Sequence, residues 1–102
     1  MEYTFRNSPT ELPTTLFLSD EVLTIKAGKE QFSVPYLGVN QVNLDRVSAK
    51  VYRAIIHLEG HSPVVITNQY CVDSVAVEDR SRGYSIFIRV LHLVEIKHTI
   101  TV

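Results

Sequence analysis

The sequence has no tryptophan, one cysteine, one methionine, and only four glycines and four prolines in 102 residues. With Cys71 alone, an internal disulfide is excluded, and so is a zinc site closed by cysteines of this chain. Gly28, Gly38, Gly60 and Gly83 lie too far apart to build a glycine-rich loop that cradles phosphate. No apolar run approaches the roughly 18 residues needed to cross a bilayer. Residues 1–7, Met-Glu-Tyr-Thr-Phe-Arg-Asn, do not show a basic start followed by an apolar stretch, so a cytoplasmic location is expected. Neither sign of charge is in excess: ten Lys+Arg stand against eleven Asp+Glu, a formal net charge of −1. Such a balance offers no field to attract phosphates, and nucleic acid is not an expected partner.

Hydrophobic residues make up 45% of the chain and charged residues 21%, which excludes pervasive disorder and fits a folded domain. The length suits a single domain, 1–102, with one core. Val, Ile and Thr account for 30 of the 102 residues and Ala for only four. Branching at Cβ restricts a side chain on a helix and packs well on a pleated surface, so the fold class is mainly β.

Residues 1–14, with Pro9 and Pro13 among polar neighbours, read as an irregular lead-in pinned by Tyr3 and Phe5. Short strands are then expected at 15–19, 22–26 and 31–36, with Gly28 in a hairpin turn and Pro35 marking an edge or bulge. Residues 39–47 alternate imperfectly. Residues 50–59 carry the strongest strand signal, with Tyr52, Ala54, Ile56 and Leu58 forming a wholly apolar face. Strands at 64–67 and 72–77 complete a set of seven, the pattern of a sandwich or partly open barrel. In the tail, alternation from Tyr84 to Ile96 slightly favours a strand. Tyr84, Phe87, Ile88, Leu91 and Val94 equally form a helical stripe, with Ser81 as its N-cap.

The runs Leu18-Ser19-Asp20-Glu21, Val22-Leu23-Thr24-Ile25 and Val34-Pro35-Tyr36, with Val42 and Leu44, resemble the opening of small bacterial pleckstrin-homology-like domains of unknown function. Ile66-Thr67-Asn68-Gln69-Tyr70, Glu78-Asp79-Arg80-Ser81, Tyr84, Phe87, Arg89 and Leu91-His92 resemble that family's last strands and closing helix. The likeness spans about residues 16–94 and rests on structural positions rather than a catalytic signature. It implies a seven-stranded antiparallel sandwich, or partly open barrel, of two near-orthogonal sheets. A C-terminal helix over about 81–97 would cap it.

Lys26 and Lys29 flank Gly28 in the first hairpin turn, where lipid-binding members of the wider fold hold headgroups; they are the anion-binding candidates, although Glu30 adjoins them. His57 and His61 lie four apart, but Gly60 and Pro63 argue against the helix that would aim both at a metal. His92 and His98 have no cysteine near, so neither a metal site nor a cofactor is expected. Cys71 and Ser85 lack the base, acid and elbow glycines of a nucleophilic site, and no catalytic residue is expected. The cluster Glu78–Arg82 reads as a helix start with acids in its first turn. A helix burying Tyr84, Phe87, Leu91 and Val94 leaves Ile86, Val90, Leu93 and Ile96 over. That face, or a strand Leu93–Val102, is the candidate interface for a second copy or another protein, unless Tyr3, Phe5 and Leu12 cover it. The expectation is a non-enzymatic interaction or scaffold module, a homodimer or partner of another protein. Binding of an anionic headgroup or membrane surface through the first hairpin is the alternative.

Overall fold

The computed structural model describes the backbone of residues 1–100 and the side chains of residues 1–95. The chain is mainly β, with antiparallel sheets and one C-terminal helix, and it does not close into a barrel. Strands β1 (Glu2–Phe5), β2 (Thr14–Leu18), β3 (Val22–Ala27) and β4 (Glu30–Pro35) form a four-stranded sheet in sequence order. A 3₁₀ turn, Tyr36–Gly38, leads to a second sheet of β5 (Val39–Arg46), β6 (Tyr52–Leu58) and β7 (Val64–Thr67). A hairpin of β8 (Gln69–Cys71) and β9 (Val77–Asp79) precedes helix α1 (Ser81–Ile100).

Alternation decides which faces meet. Tyr3, Phe5, Leu16, Leu18, Leu23, Ile25 and Val34 of the first sheet join Ala54, Ile56, Leu58 and Ile66 of the second in one core. Phe87 and Leu91 of α1, at 0% and 1% exposure, complete it. Full burial of such a side chain contributes about 1.5–3 kcal/mol. The outer face of the first sheet is polar, with hydroxyl pairs Thr4–Thr15 at 2.8 Å and Thr24–Ser33 at 2.7 Å. Gly28 has φ 61° in the two-residue β3–β4 turn and no other residue there has positive φ, the pattern of a type II′ turn.

The sheets join on one side through β8. Arg6 N–H donates to the Gln69 carbonyl at 3.2 Å, and Cys71 N–H to the Arg6 carbonyl at 2.9 Å. On the other side β4 and β5 are both edge strands, and Pro35 sits at the last position of its edge as expected.

Several expectations are corrected. The stretch 1–14 is not all irregular, because Tyr3 and Phe5 alternate inward and bring β1 into register with β2. The seven expected strands become nine. The run 72–77 is not one strand: the Asp73 carboxylate accepts the N–H groups of Val75 and Ala76, both at 2.8 Å, and folds residues 72–76 into a turn between β8 and β9. The helix passes residue 97 to Ile100, so the alternative strand over 93–102 is overturned, its last two residues lying outside the described ones. Ser81 is the first helical residue rather than the N-cap; the Arg80 carbonyl accepts the first helical bond, from Tyr84 N–H at 2.9 Å. The first turn holds no acid.

Candidate interaction surface

The start of α1 is tied down by a single buried amide. Asn68, 1% exposed, donates through Nδ2 to the Lys50 carbonyl at 2.9 Å and to Ser81 Oγ at 2.8 Å, and accepts Tyr52 N–H on Oδ1 at 3.0 Å. Asp79 accepts both the N–H (2.8 Å) and the hydroxyl (2.5 Å) of Ser81, and these bonds, side chain first, hold its carboxyl below the usual range. Arg80 lies 4.3 Å over the Tyr70 ring and pairs with Glu78 at 3.1 Å. From the other end of the chain the Tyr3 hydroxyl donates to the Thr67 carbonyl at 2.5 Å, while its ring sits 5.8 Å from that of Phe87. Burial raises the Tyr3 hydroxyl well above its ordinary pKa, keeping it a donor.

The side of α1 that faces β5 is open. The pairing of β5 with β6 shifts between Val39 and Gln41, a bulge that places Val39, Val42 and Leu44 opposite Leu58, Ile56 and Ala54 on the core side. Beyond the bulge the sheet outruns the helix packing, and Leu44 is left 64% exposed on a face that points inward. The result is a cavity of ≈ 400 Å³ floored by Val42, Leu44, Ile88 and Leu91 and rimmed by Arg89, His92 and Glu95. A second hollow of ≈ 470 Å³ shares Leu44, Ile88 and Arg89 and runs on to Arg46, Tyr52 and Tyr84. Alternate N–H and C=O groups of an edge strand point away from its neighbour, and β5 presents them beside this groove.

The groove's charges are mixed. Asp45 forms an ion pair with Arg53, whose hydrogen bond lowers the carboxyl's pKa. Arg46 donates to the carbonyls of Ser48 (3.2 Å) and Ala49 (3.1 Å) and lies 5.9 Å over the Tyr52 ring. Burial pushes the Glu95 carboxyl up, with the charge of His92 acting in the opposite direction.

Lys26 and Lys29 are both exposed and line one shallow depression on the outer face of the first sheet, together with Glu2. The apolar helix face divides. Ile86 (42%) and Leu93 (65%) are exposed, Val90 is half-buried against the core, and the Ile96 side chain lies outside the described residues. Val90 thus has less free surface than Ile86 and Leu93. Tyr3 and Phe5 do not cover this face; they are buried in the core, where Tyr3 meets Tyr84 edge-on and Phe87 at a tilt. The histidines are dispersed: His57 Nε2 lies 3.1 Å from Asn43 Nδ2, and His61 stacks on Phe32 at 4.3 Å. Cys71 is a buried free thiol. Among the described residues no three His, Cys, Asp or Glu side chains converge as metal ligands, and no helix is long and apolar enough to cross a membrane.

Sequence reasoning did not single out the groove. Its signal was the broken alternation of 39–47, which a bulge at Asn40 explains. No family model matches the chain, and neither does a curated protein or a solved structure.

Proposed function

We propose that this chain is a non-enzymatic interaction module of pleckstrin-homology-like type that receives an extended peptide along β5, with an apolar side chain in the groove against α1. The observation that carries this reading is the free edge of β5 running beside a cavity floored by Val42, Leu44, Ile88 and Leu91. Added strands draw affinity from main-chain hydrogen bonds and specificity from pockets for alternate side chains, and both parts are present here. A four-stranded and a three-stranded antiparallel sheet followed by a helix support the pleckstrin-homology-like frame.

Selection of peptides from a random display library against the full chain, followed by NMR shift mapping, tests the reading. Selected peptides are expected to shift Val42, Leu44, Ile88 and Leu91 and to lose binding in Leu44→Asp. Peptides that map elsewhere, or bind Leu44→Asp unchanged, overturn it. A second reading, anionic headgroup binding at the first hairpin, draws on the placement of Lys26 and Lys29 in one depression. Cosedimentation with phosphatidylglycerol vesicles that is abolished by Lys26→Glu/Lys29→Glu would establish it; sedimentation unaffected by those changes would dismiss it.

A further inference from the structure

The outward pole of α1 carries a second pattern, which shares only Arg89 with the rim of the groove. At about 100° per residue, Arg82, Ile86, Arg89 and Leu93 fall within one narrow sector of the helix. The pair Arg82/Ile86 recurs one heptad later as Arg89/Leu93, so cation and apolar side chain alternate along a straight line. All four are exposed. The ion pairs among the described residues are Arg53–Asp45 and Arg80–Glu78, neither of which engages Arg82 or Arg89. Arg82 also lies in the first turn of α1, where the helix dipole disfavours a cation, and the Asp79 carboxylate at that end bonds Ser81 rather than Arg82. A residue set against a local folding preference, with no compensating contact in the fold, is the mark of a surface shaped for something else.

We propose that this face docks an acidic amphipathic helix of another protein, one bearing carboxylates beside apolar residues at seven-residue spacing. The carboxylates would meet Arg82 and Arg89, and the apolar residues would lie on Ile86 and Leu93 with the half-buried Val90 beneath. A partner helix shares the seven-residue period, which an extended strand does not. A second copy fits poorly, since a two-fold pairing of α1 with itself gives neither arginine a carboxylate: parallel, it sets Arg82 and Arg89 on their own copies, and antiparallel about the stripe it sets them on Leu93 and Ile86. The proposal does not rest on the groove, because Arg82, Ile86 and Leu93 lie outside it and only Arg89 stands on its rim.

The test uses the full chain and a fluorescein-labelled heptad peptide whose one face carries Leu flanked by Glu, with a control peptide bearing Lys in place of each Glu. The Glu peptide is expected to bind the wild-type chain, and Arg82→Glu/Arg89→Glu to weaken it by at least about tenfold while gaining the Lys peptide. Ile86→Ser/Leu93→Ser is expected to weaken it similarly, and Leu44→Ser, which adds no charge beside Arg89, to leave it unchanged. All these positions are exposed, and Arg82→Glu places an acid where the helix dipole favours one. Equal binding of the Glu peptide by the charge-reversed chain overturns the proposal. So does absence of Glu-peptide binding, loss only in Leu44→Ser, or a dimer that dissociates in Leu93→Ser. Cosedimentation with phosphatidylglycerol vesicles that depends on Arg82 and Arg89, without peptide binding, overturns it in favour of a membrane surface.

Discussion

Helix α1 is held very differently along its two flanks. Toward β1 and the hairpin it is locked by Tyr3, Tyr84, Phe87 and the hydrogen bonds of Asn68 and Asp79. Toward β5 it borders a ≈ 400 Å³ cavity and an inward-facing Leu44 that is 64% exposed. Leu44, the exposed side chain of the groove, is therefore free to serve recognition, whereas Leu91 on its floor belongs to the core as well.

The contrast yields predictions that fall off in size from the locked flank to the open one. Phe87→Ala, at a site with 0% exposure, is expected to lose about 3–5 kcal/mol in urea unfolding. Asn68→Ala removes three side-chain hydrogen bonds and leaves Tyr52 N–H without its acceptor, so a loss of about 2–4 kcal/mol is expected. A smaller value would mean that water replaces the amide and that the lock is looser than its geometry implies. At Gly38, where the second sheet begins, an added Cβ would stand 2.8 Å from Cγ1 of the buried Val34. Because Val34 is stiff and enclosed, Gly38→Ala is expected to cost about 1–3 kcal/mol.

Acid provides a softer probe of the same divide. The carboxyls of Asp45, Asp73 and Asp79 are all lowered by hydrogen bonds in the folded chain. Their stabilisation is full above the unfolded aspartate value of about 3.9 and is lost as pH falls through the lower folded values. A midpoint temperature measured between about pH 6 and pH 3 is thus expected to fall, and Asp79→Ala to flatten part of that fall. Least of all should Leu44→Ser matter to stability, changing it by no more than about 0.5 kcal/mol while abolishing peptide binding in the groove.

Much of this architecture is legible in the residues. The apolar set of 50–59 became β6 with Ala54, Ile56 and Leu58 buried; Tyr52, at the end that outruns the helix, stays 40% exposed. The helical stripe of the tail is the buried one, with Tyr84, Phe87 and Leu91 inside. β1 escaped notice because four residues, Glu-Tyr-Thr-Phe, carry little alternation by themselves and the prolines after them suggest irregularity. Only their pairing with β2 and the burial of Tyr3 and Phe5 make them a strand. The groove was invisible for a different reason. A one-residue bulge changes which side chains share a face, and the space between β5 and α1 depends on where a distant helix comes to rest.

The bond from Tyr3 to Thr67 spans 64 positions, and the ring of Tyr3 rests on Phe87 and Tyr84. A ribosome makes residue 3 long before any of these partners, on the order of ten seconds at ordinary elongation rates. During that interval Tyr3 lacks the Thr67 carbonyl and the rings of Tyr84 and Phe87. β1 can thus pair early with β2, yet the ring of Tyr3 waits for α1 before its seat is complete.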